Sequence, residues 1–97
     1  MYAAIVTYAP EQTLSEADLR ARFEASSPIF SGMPGLVRKH FCFDTARWEG
    51  TSLYIWENPE AAHACFNSPQ FQEGFRKTFG CEPTIQYLDI WHVIDNA

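Results

Sequence analysis

Residues 34–57 read PGLVRKHFCFDTARWEGTSLYIWE. Both flanks of this stretch are rich in β-branched and aromatic residues, and the polar segment between them ends at Gly50. This pattern predicts a β-hairpin, in which two antiparallel strands are joined by a short polar loop. We expect Phe43 to lie opposite Thr51 across that loop.

The register of the hairpin decides which side chains share a face of the sheet. With Phe43 opposite Thr51, one face is mainly aliphatic, and Lys39 on that face would extend its ammonium into water at the strand edge. The other face combines a cation, an imidazole, a phenol and an indole, from Arg38, His40, Tyr54 and Trp56. A shift of one residue between the strands would exchange these partners.

The residues before the hairpin predict a strand and a helix. Tyr2–Tyr8 is apolar at nearly every position, which is typical of a strand buried on both faces. The helix that follows carries a stripe of residues at helical spacing, formed by Leu19, Phe23, Ser26 and Phe30. Its N-terminal cap is either Thr13, in a capping box with Glu16, or Ser15, and Pro28 is expected to kink or end it.

The residues after the hairpin predict two helical segments and a last strand. Asn58 and Ser68 are each followed by proline and are the expected N-terminal caps, while Gly80 ends the second segment. His63 is expected to be exposed, because it lies away from the apolar face of the first segment. Thr84–Ile94 is expected to be one long strand that is apolar on both faces.

The resulting order, β-α-β-β-α-β, predicts an α+β ferredoxin-like fold with helices on one face of an antiparallel sheet. The first and last strands are apolar on both faces, so the other face of the sheet would be a large exposed hydrophobic patch. A second copy of the same sheet is the most economical cover. We therefore predict a homodimer formed through this sheet face.

Composition limits the classes of function that the chain can have. Its 97 residues are 46% hydrophobic, which predicts a single globular domain over residues 1–97. The net charge is −5 and the seven basic residues are scattered, which argues against nucleic acid and anionic membrane surfaces as partners. No apolar run approaches the ~20 residues of a membrane-spanning helix, and the N-terminus reads as a strand and not as a signal peptide.

The cysteines and histidines show no pattern of a metal or redox site. Cys42, Cys65 and Cys81 are an odd number without CxxC spacing, which favours free thiols in a reducing, cytoplasmic environment. The three histidines have no metal-ligand spacing with one another or with the cysteines. No phosphate-binding glycine loop or hydrolase motif is present either. We predict no metal and no other cofactor.

Short motifs spread over the chain resemble the dimeric α+β barrel superfamily, also described as the dimeric α/β barrel. Within it, the likeness is to the antibiotic-biosynthesis-monooxygenase type of domain, closest to the YdhR-like candidate monooxygenases. The matching motifs cover most of the element order and are Pro34-Gly35-Leu36 with Arg38-Lys39, Leu53–Asn58, Glu60-Ala61-Ala62, Asn67-Ser68-Pro69 and Phe71.

The resemblance implies a homodimer with facing sheets and a pocket between each sheet and its helices. Members of the superfamily include cofactor-independent oxygenases of aromatic polyketides or quinols, haem-degrading enzymes, isomerases and small-molecule sensors, and the fold alone does not choose among them. Many such oxygenase domains carry two histidines where this chain has Cys65 and Gln70. This departure weakens a haem-based or histidine-based reading at those positions.

The resulting hypothesis is a cofactor-independent monooxygenase that acts on a phenolic or quinol-type aromatic molecule. His40 is the candidate general base, and Arg38 is the candidate group that stabilises the substrate anion. A bonded, half-buried histidine and an interface salt bridge are the structural alternatives for these two residues. Candidate substrate-binding side chains are Tyr54, Trp56, Tyr87, Trp91 and His92.

The competing hypothesis is a dimeric small-molecule-binding or stress-associated module without catalysis. A cavity lined by Arg38, His40 and Tyr54 would favour the enzyme. A filled core with these groups on its rim would favour the binding module.

Overall fold

The computed structural model describes residues 1–97, which form four strands and three helices. In chain order these are β1 (Tyr2–Tyr8), α1 (Glu16–Phe30), β2 (Leu36–Asp44), β3 (Glu49–Trp56), α2 (Pro59–Phe66), α3 (Pro69–Phe79) and β4 (Thr84–Asp89). All strand pairs are antiparallel, and the strand order across the sheet is β2-β3-β1-β4. The predicted ferredoxin-like α+β fold is confirmed. No helix is both long enough and apolar enough to cross a membrane.

The hydrophobic core lies between the helices and one face of the sheet. Ala4, Val6 and Tyr8 alternate along β1 as its buried side chains, because successive side chains of a strand point to opposite faces. The opposite face of β1 is half-buried, so the prediction of a strand fully buried on both faces does not hold for a single chain. The helices contribute Leu19, Ala62, Phe66, Phe75 and Phe79 to the core.

The helix ends follow from local side-chain chemistry. The Ser15 hydroxyl accepts a hydrogen bond from the Asp18 amide, and the Asp18 carboxylate accepts one from the Ser15 amide, so Ser15 is the cap. The helix continues through Pro28 to Phe30, so Pro28 does not end it. The predicted caps Asn58 and Ser68 are confirmed, as is the left-handed Gly80 that ends α3.

The hairpin register differs from the predicted one by a single residue. Phe43 lies opposite Gly50 instead of Thr51, and Lys39 lies opposite Tyr54. The loop accounts for the shift, because the Asp44 carboxylate accepts hydrogen bonds from the backbone of residues 46 and 47, and Trp48 has a φ of 55°. Lys39 therefore lies on the helix-covered face, together with Tyr54. The sequence analysis had placed it on the opposite, mainly aliphatic face.

The last strand is shorter than its sequence pattern predicts. β4 ends at Asp89, which lies opposite Tyr2, because β1 offers no further residues with which to pair. One more hydrogen bond joins the Ile90 amide to the Met1 carbonyl at 3.0 Å. Beyond it the chain continues without regular structure to Ala97, and Trp91 is 93% exposed. The prediction of a strand continuing to Ile94 is wrong.

The sheet face opposite the helices, called here the open face, carries an apolar centre. Ile5 lies opposite Leu53, and Ala3 lies between Ile55 and Leu88, so these side chains form one patch across three strands. Leu53 and Leu88 are 36% and 44% exposed. Soluble monomers rarely leave a large continuous patch of this kind in water. We propose, as the sequence predicted, that a second copy of the chain covers the open face.

Leu53→Glu should dissociate this dimer, because it places a carboxylate at the centre of a desolvated interface. We expect a shift from dimer to monomer mass in analytical ultracentrifugation at micromolar concentration. The circular dichroism spectrum should stay that of the wild type, which shows that the fold is retained. Ala25→Glu, on the exposed surface of α1, adds the same charge and should leave the mass unchanged. A wild-type protein that sediments as a monomer would contradict the proposal.

The turn before β2 is fixed by a close contact with α2. Gly35 has a φ of +80°, and a Cβ added there would lie 2.5 Å from the Ala61 Cβ. The Gly35 carbonyl also accepts a hydrogen bond of 2.8 Å from the Glu57 amide at the end of β3. Gly32 has a similar φ of +75° but has no atom within 4 Å of such a Cβ.

Gly35→Ala should therefore be more destabilising than Gly32→Ala. Both variants place a side chain at positive φ, but only Gly35→Ala also forces α2 away from the turn, which adds about 1–3 kcal/mol. Urea denaturation of the two variants measures the difference in the free energy of unfolding. An equal decrease in the free energy of unfolding of the two variants would show that the contact with Ala61 relaxes without cost.

Candidate functional site

A half-open cavity of about 720 Å³ lies between the helix-covered face of the sheet and the helices. Its walls come from α1, the turn before β2, strands β2 and β3, and both later helices. Most of the lining is apolar, and its aromatic members are Phe30, Phe41, Tyr54, Trp56, Phe71, Phe75 and Phe79. The volume falls in the range of about 300–1,000 Å³ that is usual for small-molecule sites.

Lys39 is the only basic side chain that lines this cavity. Its Nζ lies 3.5 Å from the ring centroid of Phe30, 4.0 Å from that of Phe41 and 4.6 Å from that of Tyr54. No carboxylate lies within 4 Å of the ammonium, and Lys39 makes no side-chain hydrogen bond. The ammonium is therefore held by aromatic rings alone, an attraction worth about 0.5–2 kcal/mol.

Burial changes the proton affinity of the groups around the cavity. It lowers the pKa of Lys39 to about 7, because an apolar environment disfavours the charged amine. Burial also raises the pKa of the Tyr54 phenol and of the Cys65 thiol, and the nearby Lys39 offsets part of the shift at Cys65. At neutral pH the cavity thus holds a protonated phenol, a protonated thiol and an amine that is partly neutral.

Two of the predicted substrate-binding residues line the cavity. Tyr54 and Trp56 are 1% and 0% exposed, and their rings are parallel, with centroids 6.0 Å apart. Phe66 packs edge-on against both rings, at 4.9 Å from Tyr54 and 5.8 Å from Trp56. The buried Trp56 Nε1–H has no hydrogen-bond partner. These rings form a rigid wall behind the cavity, and at 0–2% exposure they fix its shape but leave a ligand almost no surface on which to stack.

Arg38 and His40, the two predicted catalytic residues, do not line the cavity. They lie opposite Ile55 and Leu53, on the open face, and both side chains are exposed. The one-residue register shift is the physical reason, because it turns every side chain of β2 to the other face. The expectation that they share a face with Tyr54 is therefore wrong, while their catalytic roles stay a prediction.

The remaining predicted residues lie away from the cavity. Tyr87 is half-buried at the sheet edge, stacks on Tyr2 at 5.8 Å and meets the ring of His63 edge-on at 4.7 Å. His63 is exposed, as predicted. Trp91 and His92 belong to the exposed segment after β4. The structure does not bring these residues together with Tyr54 and Trp56, and their predicted binding roles stay predictions.

The structure places Lys39 in the lining of the cavity, although the sequence analysis placed it on the opposite face of the sheet. The available signal was the alternation along β2, where Lys39, Phe41 and Phe43 occupy every second position. A lysine in line with two phenylalanines shares their face, whichever register the hairpin adopts. Which face that was could only be read from the pairing with β3. No three His, Cys, Asp or Glu side chains are grouped so that they could hold a metal ion.

Solved structures with the same architecture were found, although no protein-family model and no curated protein matches the sequence. A candidate antibiotic biosynthesis monooxygenase from Deinococcus radiodurans superposes with a TM-score of 0.77, at 15% identity, over 100% of this chain and 99% of that chain. SnoaB, a cofactor-independent oxygenase from Streptomyces nogalater, superposes with a TM-score of 0.73, at 12% identity, over 96% and 95%.

A candidate antibiotic biosynthesis monooxygenase from Bordetella bronchiseptica gives a TM-score of 0.72 at 23% identity, covering 94% of this chain and 97% of that chain. The chain has the fold of the antibiotic-biosynthesis-monooxygenase-like proteins. The likeness extends over nearly the whole length of each relative, and at these identities it concerns the fold. The closer likeness to YdhR-like proteins stays a prediction.

The lowered pKa of Lys39 should make the stability of the protein rise with pH. Between the folded-state pKa of about 7 and the ordinary lysine value of 10.5, the unfolded chain binds a proton that the folded chain lacks. The free energy of unfolding therefore increases with pH across this window. Lys39→Met removes the titrating group and should flatten the rise, and it should be the more stable protein at pH 6.

Urea midpoints measured at pH 6, 7, 8 and 9 test this expectation. Thiols and phenols also titrate near the upper end of this range. The quantity to compare at each pH is therefore the difference in urea midpoint between wild type and Lys39→Met. Lys77→Met, at an exposed position of α3, is the matched control and should keep the wild-type slope. A difference that does not change with pH would mean that Lys39 is fully charged in the folded protein.

Proposed function

We propose that the protein is a cofactor-independent monooxygenase that oxidises a phenolic or quinol-type aromatic molecule bound in the cavity. The observation that carries this proposal is the unpaired amine of Lys39 inside an aromatic-walled cavity. The fold is consistent with it, because SnoaB is a cofactor-independent oxygenase. Fold likeness at this identity is an analogy, so the argument rests on the chemistry of the site.

The cavity suits a flat aromatic ligand with one acidic hydroxyl. Apolar walls remove the ring system from water, and the half-buried rings of Phe30 and Phe71 offer surfaces for edge or face packing. Lys39 is the only cation in the cavity, so a developing negative charge on the ligand oxygen is most stable beside its Nζ. This single polar contact would fix the orientation of an otherwise apolar ligand.

The proposed chemistry begins with a proton transfer to Lys39. The neutral amine accepts the phenolic proton, and the resulting ammonium stabilises the phenolate or enolate that forms. A pKa of about 7 suits this task, because both protonation states are populated at neutral pH. The substrate anion then reduces O2 directly and supplies all four electrons. A ring carbon that carries hydrogen forms a C–O bond to one oxygen atom, and the O–O bond breaks as that carbon loses its hydrogen. The carbon becomes a carbonyl, and the other oxygen leaves as water with this hydrogen and the proton returned by Lys39. The apolar walls keep bulk water away from the intermediate.

A binding module without catalysis is the second candidate function. The cavity is lined by Tyr54 but not by Arg38 or His40, so the arrangement that would favour the predicted enzyme is only partly present. The same aromatic walls and the same cation would also bind a phenolic ligand without oxidising it. Turnover in the presence of oxygen distinguishes the two functions.

Oxygen consumption with a panel of quinols and anthrones tests the proposed function. Thermal-shift measurements on the same panel identify ligands first, because binding to the folded state raises its stability. For a compound that is turned over, Lys39→Met should lower kcat by about 10²-fold or more, the usual scale for loss of a general base. Lys77→Met should retain wild-type activity. Ligand binding without oxygen consumption would favour the binding module.

His40→Ala and Arg38→Ala decide between the cavity and the open face. If catalysis takes place beside Lys39, both variants should keep their turnover, provided that their dimer mass and melting temperature are unchanged. A loss of about 10²-fold in His40→Ala, with Lys39→Met still active, would assign the general base to the open face, as the sequence predicted.

A further inference from the structure

We propose that Lys39 is also a carbonyl-capturing nucleophile, whose ε-amine condenses with an aromatic aldehyde in the cavity to form a Schiff base. This activity uses the cavity of the proposed function, but it needs no oxygen and no oxidation of the ligand. It is argued from the surroundings of Nζ, which differ from those of an ordinary surface lysine or of a lysine in an ion pair.

The Nζ atom has no polar partner in the protein. It makes no hydrogen bond and no ion pair, so no partner must be broken before its lone pair can attack. Three aromatic rings lie within 4.6 Å of it, and their apolar surfaces favour the neutral amine over the hydrated ammonium. Desolvation in an apolar pocket is one of the ways by which proteins activate lysine for attack on carbonyl groups.

The cavity also provides space for the electrophile. Lys39 projects from the sheet into a volume of about 720 Å³, which exceeds the volume of a single aromatic ring. Phe30 and Phe41 lie beside Nζ, so an aromatic aldehyde can pack against the same rings while its carbonyl carbon meets the amine. An aliphatic aldehyde would lack this stacking contact. The geometry therefore points to an aromatic aldehyde as the class of ligand.

The condensation is balanced without any further reactant. Nζ attacks the carbonyl carbon, a C–N bond forms, and an amine proton moves to the carbonyl oxygen to give a carbinolamine. Loss of water removes this oxygen together with the remaining amine hydrogen and leaves a C=N bond. The overall reaction converts the amine and aldehyde into an imine and one water molecule, with no change of oxidation state.

The surroundings of Nζ also suit the product. A protonated imine keeps its positive charge where the ammonium was, against the faces of the same three rings. The apolar lining limits the access of bulk water that would hydrolyse the imine. The site would thus hold the aldehyde reversibly but for longer than an exposed lysine could.

Reductive trapping tests this proposal with internal references, because the chain has only two lysines, Lys39 and Lys77, besides its N-terminal amine. Wild-type protein is incubated under nitrogen at pH 7 with 4-hydroxybenzaldehyde and sodium cyanoborohydride. Cyanoborohydride reduces an imine to a stable secondary amine. Chymotryptic peptides are then quantified by mass spectrometry to give the initial rate of labelling at each amine.

Lys39 should be labelled about 10²-fold faster than Lys77, or more. About half of an amine with a pKa of 7 is neutral at pH 7, against about one in 10³ for an ordinary exposed lysine. The preference should shrink as the pH is raised toward 10. 4-Hydroxybenzyl alcohol, which lacks the carbonyl, should slow labelling of Lys39 by occupying the cavity and leave the Met1 amine unaffected.

Labelling of Lys39 at or below the rate of Lys77 would overturn the proposal, and so would labelling confined to Met1. These results would show a lysine that is merely packed in the core and closed to ligands. Lys39→Met should lose the fast-labelled site while Lys77→Met retains it. Because the reaction is run without oxygen, its outcome is independent of whether the protein oxidises any substrate.

Discussion

The register of the β2–β3 hairpin is the constraint on which the rest of the site depends. Pairing Lys39 with Tyr54 turns the only cation of the cavity toward the helices, and the same pairing turns Arg38 and His40 to the open face. The register is fixed at the loop, where the Asp44 carboxylate holds two backbone amides and the Trp48 indole donates to the Glu11 carbonyl at 3.3 Å. A few hydrogen bonds at one end of the sheet thus decide which side chains of β2 face the cavity.

The position of Lys39 is costly for a structural residue. Burying an amine without a carboxylate partner disfavours its charged form, and aromatic contacts worth about 0.5–2 kcal/mol offset only part of this. A methionine or leucine would fill the same space without that cost. In both proposals a ligand interacts with this amine, either as a proton donor that becomes an anion or as a carbonyl compound.

The two faces of the sheet differ in what covers them. The helix-covered face holds both the core and the cavity, so Tyr54 and Trp56 belong to both. The open face carries an apolar centre formed by Ile5, Leu53 and Leu88, with exposed charged and polar side chains around it. Association of two copies there would bury the patch and leave the entrance of each cavity on the other side of the sheet.

The sequence by itself determined the element order, the caps at Asn58, Ser68 and Gly80, and the placement of all helices on one side of the sheet. These features follow from spacing and from side chains that act on their own backbone, so they are local. Only the tertiary structure decided the hairpin register and the end of β4 at Asp89, because both depend on a partner strand. Tyr54 and Trp56 were predictable as buried residues, since large aromatics in a strand are buried in most arrangements. Lys39 was not, because a side-chain period of two makes its environment depend on a single residue of register.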